Sequence, residues 1–157
     1  QQLWMRTVEF PIVEPTYPSN PYCGSTPVAD GARVVVWHGS AGVFCYDFDG
    51  KELWKTDLGE VRNEYGYGSS PILHRGKVIL NFGPGERAFL CALDLKTGKL
   101  LWKYDEPGGP KTLLKGNWGS WCTPIVAKVG GKDQILCSML TQVVACDPKT
   151  GARLQLG

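Results

Sequence analysis

The sequence predicts an all-β fold built from tandem four-stranded units, on three observations. A Thr/Ser-Pro dipeptide recurs at Thr26-Pro27, Ser70-Pro71 and Thr123-Pro124, with the prolines 44 and 53 residues apart, a period typical of propeller and solenoid repeats. After each dipeptide come strand-length apolar runs separated by turns, and the 20 glycines and 11 prolines cluster between those runs, as in an all-β repeat. Each copy then reaches an aspartate and a glycine: Asp47 and Gly50, Asp94 and Gly98, Asp147 and Gly151. Four residues past the glycine stands Trp54 in the first copy, Trp102 in the second and Gln155 in the third. The expectation is a β-propeller segment of three four-stranded antiparallel blades, with repeats over about 22–58, 65–106 and 118–157 and one leading strand before them.

Taken in order, residues 1–10 read as the last strand of a preceding blade, because Leu3-Trp4 and Arg6-Thr7 parallel Leu53-Trp54 and Lys55-Thr56. The stretch Glu9–Cys23 carries Pro11, Pro15, Pro18 and Pro21, which makes it an extended linker. Copy one reads as strands Ser25–Ala29, Arg33–His38, Val43–Asp47 and Glu52–Thr56. Asp30-Gly31 and Asp49-Gly50 form short hairpin turns between them, glycine supplying the positive φ. Copy two follows Pro71 with runs Lys77–Phe82, Ala88–Leu93 and Lys99–Tyr104. In copies two and three the last turn is Lys-Thr-Gly, with Gly98 and Gly151 in the left-handed position. The runs Arg33–Trp37 and Lys77–Asn81 are apolar on both faces rather than alternating, as befits strands sandwiched between neighbouring sheets. The linkers Leu58–Gly68 and Glu106–Trp121 are glycine-rich, aromatic and long, and such loops are where function concentrates. Propellers need about four to eight blades, so the chain reads as part of a ring of about six to eight, with other blades of a longer chain as its partners.

Composition narrows the function classes. A net charge of +2 arises from 17 basic and 15 acidic residues without a like-charged run, which argues against nucleic acid and anionic membrane as partners. No apolar run is long enough to span a membrane, and the first residues lack a secretory profile. The six cysteines, Cys23, Cys45, Cys91, Cys122, Cys137 and Cys146, include neither a Cys-x-x-Cys nor an adjacent pair. With only two histidines, zinc-ligand spacing is missing, and the cysteines read as small buried apolar residues. Cys122 takes the place held by Ser25 and Ser69. His38 at a strand end and His74 in a turn have no acidic partner at usable spacing, and no Gly-x-Ser-x-Gly is present, so hydrolase chemistry has no support.

The segment Ala-x-Asp-x-x-Thr-Gly-Lys-x-x-Trp at Ala92–Trp102 resembles the tryptophan-docking motif of pyrroloquinoline-quinone-type (PQQ-like) β-propeller repeats. Ala145–Gly151 matches its first half, and Cys45–Trp54 matches it with one turn residue deleted. Trp118-Gly119-Ser120, ahead of Thr123-Pro124, is also similar to the family's inner-strand start. The family includes non-catalytic, outer-membrane-assembly (BamB-like) propellers. The resemblance implies that Trp4, Trp54 and Trp102 dock on neighbouring blades, with Gly98 and Gly151 in the receiving turns, each ring burying on the order of 150–250 Å². It also implies a periplasmic or otherwise extracytoplasmic location. The function it favours is a non-catalytic binding or scaffold domain for protein or carbohydrate ligands, with no catalytic, cofactor or metal residues. Tyr22, Tyr65, Tyr67, Asn117, Trp118 and Trp121 are the candidate ligand face. The alternative is part of a PQQ- and calcium-dependent quinoprotein dehydrogenase. Family enzymes of that kind hold the quinone at the centre with calcium, an aspartate base and two adjacent cysteines. The adjacent cysteines are missing here, and Asn63, Glu64, Asn81 and Asn117 form no recognisable set against the six to eight oxygens calcium takes. A sensor ectodomain joined to a signalling module is a third reading.

Overall fold

The structure, a computed structural model, describes residues 1–9, 12, 14–20, 22, 24–106 and 119–155. Three antiparallel sheets follow one another along the chain, each with its four strands in sequence order. Blade one holds β1 (Val28–Ala29), β2 (Arg33–Trp37), β3 (Val43–Asp47) and β4 (Glu52–Thr56). Blade two holds β5 (Ile72–His74), β6 (Lys77–Phe82), β7 (Phe89–Asp94) and β8 (Leu100–Asp105). Blade three holds β9 (Ile125–Val129), β10 (Lys132–Ser138), β11 (Val143–Cys146) and β12 (Arg153–Leu154).

Two expectations need correction. Residues 1–9 form no strand, and Trp4 keeps the expected docking place. The inner strand of blade one is also shorter than Ser25–Ala29. Pro27 cannot donate to a ladder, and the Thr26 N–H is spent elsewhere: it donates to Ser70 Oγ of blade two at 2.9 Å. The Ser70 N–H in turn donates to Thr123 Oγ1 of blade three at 3.0 Å. The recurring hydroxyl before proline is therefore an inter-blade link, each blade's amide reaching for the next blade's side chain. Ser70→Ala should cost about 0.5–1.5 kcal/mol in a urea titration, the net worth of one such hydrogen bond; an unchanged midpoint would show that water replaces the hydroxyl.

The blades stack face to face, which accounts for the apolar runs. Val35, Trp37, Val43, Cys45 and Trp54 of blade one pack with Val78, Leu80, Phe82, Phe89, Cys91 and Leu93 of blade two. The other face of blade two, with Ile79, Leu90, Ala92 and Trp102, meets Ile135, Cys137, Val144 and Cys146 of blade three. Burial pushes the thiols of Cys91 and Cys137 up to about 12, so they act as apolar filling. Cys122 is half-buried, its thiol 3.3 Å from the Thr123 carbonyl.

The tryptophan docking repeats along the chain. Trp4 Nε1 donates to the Phe48 carbonyl, Trp54 Nε1 to that of Leu95, and Trp102 Nε1 to that of Pro148. In each case the ring lies over a glycine of the following turn: Trp4 over Gly50, Trp54 over Gly98, Trp102 over Gly151. These glycines have φ of 76°, 70° and 71°, the left-handed conformation glycine adopts without penalty. The turns are held from inside. Asp94 Oδ1 accepts from the Lys96 and Thr97 amides and the Thr97 hydroxyl, and Asp147 Oδ1 accepts the equivalent set from Lys149 and Thr150. The Thr97 hydroxyl foremost holds the Asp94 carboxyl below its ordinary value, and the Lys149 amide does so for Asp147.

A β-bulge precedes the docking rings of Trp54 and Trp102. Cys45 pairs with Trp54 but Tyr46 with Glu52, and Ala92 pairs with Trp102 but Leu93 with Leu100. Leu53 and Leu101 are thus extra residues that re-aim the strand. Blade three has no bulge, and Leu154 sits opposite Ala145. Counting from the glycine equated Gln155 with the tryptophans; in register, Leu154 occupies that place.

Candidate functional site

The turns carrying the docking glycines lie at one end of the sheets. The linkers between blades lie at the other, with the β2–β3 loop. Three of those linkers bring aromatic rings together. Tyr17, from the proline-rich linker before blade one, stacks on Tyr65 from the linker before blade two, with ring centroids 6.2 Å apart and planes 29° apart. Tyr65 meets Trp121, from the linker before blade three, edge-on at 6.4 Å and 70°. Tyr17 is 57% exposed, Tyr65 45% and Trp121 46%, so the rings form a ridge with about half its surface facing solvent.

The ridge is fixed from below by polar contacts. Asn20 joins two rings: its amide donates to the Tyr17 carbonyl at 2.8 Å, and its Nδ2 to the Tyr65 carbonyl at 3.0 Å. Asn63 Oδ1 accepts from the Tyr65 amide at 2.8 Å, an Asx turn that sets the loop. The Trp121 indole N–H is donated to the Gly66 carbonyl at 3.1 Å. The neighbouring Glu64 carboxylate raises the Tyr65 phenol above its ordinary value.

The proposed ligand-face residues fare differently. Tyr65 and Trp121 lie together. Tyr22 is 49% exposed on the same linker as Tyr17. Tyr67 is buried, its ring 4.8 Å from that of Trp37. It belongs to the core, a correction that comes from Trp37 reaching the loop end of β2. Asn117 and Trp118 lie outside the described residues. Tyr17 and Asn20 were missed: only the adjacency of two linkers, which sequence spacing does not reveal, gives them a role.

Asn63 and Asn81, two of the candidate oxygen ligands, are each engaged in contacts of the fold. The Asn63 Oδ1 is occupied by its Asx turn. Asn81, fully buried on β6, donates to the Ser120 and Cys122 carbonyls at 3.0 and 2.9 Å, tying blade two to the start of blade three. Its Oδ1 has no partner among the described residues, but no other candidate donor is shown beside it. Among the described residues no three His, Cys, Asp or Glu side chains group as a metal site would need. Among the described residues, these candidates form no calcium site. His74 does gain an acidic neighbour that its sequence spacing hides: Asp133 of blade three lies 3.5 Å from its Nε2 and 2.7 Å from Arg75. This group links two hairpins.

Residues 1–155 match the family model described as outer membrane protein assembly factor BamB, a PQQ-repeat family. The chain belongs to this family. Over 65 residues, 39% of the chain, it is 37% identical to the quinohemoprotein alcohol dehydrogenase ADH IIB of Pseudomonas putida, a match that spans 9% of that protein. Among solved structures, 82% of the chain superimposes on the quinohemoprotein alcohol dehydrogenase of Comamonas testosteroni with a TM-score of 0.64 and 18% identity, covering 26% of it. A europium-containing methanol dehydrogenase gives a TM-score of 0.63 at 16% identity, with 82% of this chain and 31% of that one covered. At these identities the likeness is one of fold. The PQQ-like chain spans less than a third of the length of each of these relatives.

Proposed function

We propose that these PQQ-like repeats form three consecutive blades of a propeller that acts as a non-catalytic binding or scaffold domain, presenting the face built by its inter-blade linkers. The observation that supports this most is the Tyr17–Tyr65–Trp121 ridge, half exposed yet fixed by Asn20, Asn63 and the Gly66 carbonyl. Exposed aromatic rings held rigid are the usual material of a recognition surface. The described residues carry no grouped ligands for a metal and no nucleophile–base pair. An extracytoplasmic location accords with the family, and among the described residues no helix is long and apolar enough to cross a membrane.

The match to the Pseudomonas putida enzyme favours a second reading, that the blades are part of a PQQ- and calcium-dependent dehydrogenase. The two readings separate in one experiment. The intact protein carrying these blades is mixed with PQQ and calcium and assayed for dye-linked alcohol oxidation and a red-shifted quinone absorbance. The scaffold reading expects neither; turnover would overturn it.

A further inference from the structure

We propose that Cys122 and Cys137 are an oxidisable pair. A small-molecule disulfide of the glutathione type converts them to a disulfide that fastens the linker before blade three to β10.

The two residues come together from different elements. The Ser120 hydroxyl donates to the Ser138 carbonyl and accepts from the Cys122 amide at 3.3 Å. One hydroxyl thus clamps the backbone at Cys122 against the residue that follows Cys137. Both cysteines also lie toward blade two: Asn81 donates to the Cys122 carbonyl at 2.9 Å, and Cys137 packs in the cluster with Ile79 and Leu90. The β9–β10 ladder ends at Ile125 opposite Leu136. No strand pairing fixes Cys122, so its backbone is free to make the small adjustments that disulfide geometry asks for. Burial foremost, and then the neighbouring Cys122 and Cys146 sulfurs, push the Cys137 thiol up.

The repeats single out the same pair. In each blade the register sets one residue of the inner-strand start diagonally across from one residue of the second strand. These are Ser25 and Val36 in blade one, Ser69 and Leu80 in blade two, and Cys122 and Cys137 in blade three. Neither position is cysteine in the first two blades, and both are in the third. Cys137 with Cys146 is the competing pair. There an unbroken ladder sets Cys137 opposite Val144 and Ile135 opposite Cys146. Diagonal partners in a regular ladder stand about 7–8 Å apart at Cα, beyond the reach of a disulfide. Cys122 lies past the end of its ladder and escapes that limit.

Exposure orders the steps. Cys122 is half-buried and Cys137 is 1% exposed, so Cys122 meets the reagent. Its thiolate attacks one sulfur of the reagent disulfide, forming a mixed disulfide and releasing one reagent thiol. Cys137 then attacks the Cys122 sulfur and expels the second reagent thiolate, which takes up the proton that Cys137 gives up. Two protein thiols are oxidised by two electrons in all, and one reagent disulfide is reduced to two thiols. Burial keeps Cys137 in the thiol form, so the second step sets the rate.

In the test, the intact protein is equilibrated with excess oxidised glutathione and its peptides are mapped without reduction. Trypsin followed by cleavage after Met139 separates Cys137 from Cys146. A link between Cys122 and Cys137 should form, dithiothreitol should reverse it, and the urea midpoint should be higher in the linked form. Cys146→Ser should retain the link. Cys122→Ser, which places there the residue of the other two blades, should lose both the link and the midpoint shift. Should that variant fail to fold, mapping of the native protein decides alone. A glutathione adduct still on Cys122 at equilibrium, a Cys137–Cys146 link, or two unlinked thiols would each overturn the inference. So would a link that leaves the midpoint unchanged, since it would fasten nothing.

Discussion

Trp102→Ala is expected to destabilise the intact protein by about 3–5 kcal/mol, the range for emptying a buried tryptophan site. The ring is 7% exposed, lies over the Gly151 backbone, pairs across the strand with Ala92 and donates its N–H to the Pro148 carbonyl at 3.2 Å. Truncation opens a cavity between two blades and strands a carbonyl. Rigid sheets on both sides leave little room for collapse. Urea titration measures the loss, and a value under about 1 kcal/mol would show that the ring is not part of the junction's packing. Trp102→Phe keeps much of the area but not the donor, and should fall between the two.

The receiving side gives the second large effect. A Cβ on Gly98 would stand 2.6 Å from the Trp54 ring and from Thr56 Oγ1, at a φ of 70°. Gly98→Ala should therefore cost about 2–5 kcal/mol, combining left-handed strain with overpacking. Gly31→Ala supplies the comparison. Gly31 has a φ of 90° but nothing within 4 Å of the added methyl, so only the conformational cost of about 1–2 kcal/mol applies. Equal losses in the two variants would mean that the Trp54 ring is not seated on the glycine.

The contrast between these residues also explains what could be read before the structure was known. Asp94, Thr97 and Gly98 lie within one turn and bond mainly to each other, so the chemistry that shapes them is local and visible in the string. Trp54 and Trp102 stand at the same distance from their glycines, which made the motif legible, while the family resemblance supplied the docking on a neighbouring blade. Leu101 shows where locality ends. Nothing in its identity marks it as the bulged residue, and without bulges Leu154 and Gln155 could not be told apart as the third blade's equivalent. The ligand face was harder still. Tyr65 and Trp121 were legible as aromatics in long loops, but Tyr67 looked the same and is buried under Trp37. Tyr17 and Asn20 join the ridge because sheet stacking lays one linker beside the next, and His74 meets Asp133 for the same reason. No period or motif records such neighbours.

The docking of ring on glycine has a direction. Every blade offers a tryptophan or its substitute on one side and a socket on the other, and the two surfaces differ, so the contact is heterologous and repeats with the same sense of rotation. Contacts of that kind close into rings when the rotation permits and extend into open chains when it does not. A folding intermediate whose Trp54 has not reached its own Gly98 carries an adhesive end that fits the vacant socket of a second molecule equally well. The local concentration set by the 44-residue spacing between Trp54 and Gly98 therefore decides between correct closure and domain swapping. Crowded refolding of the native protein should then yield swapped oligomers whose junctions are indistinguishable from those within one chain.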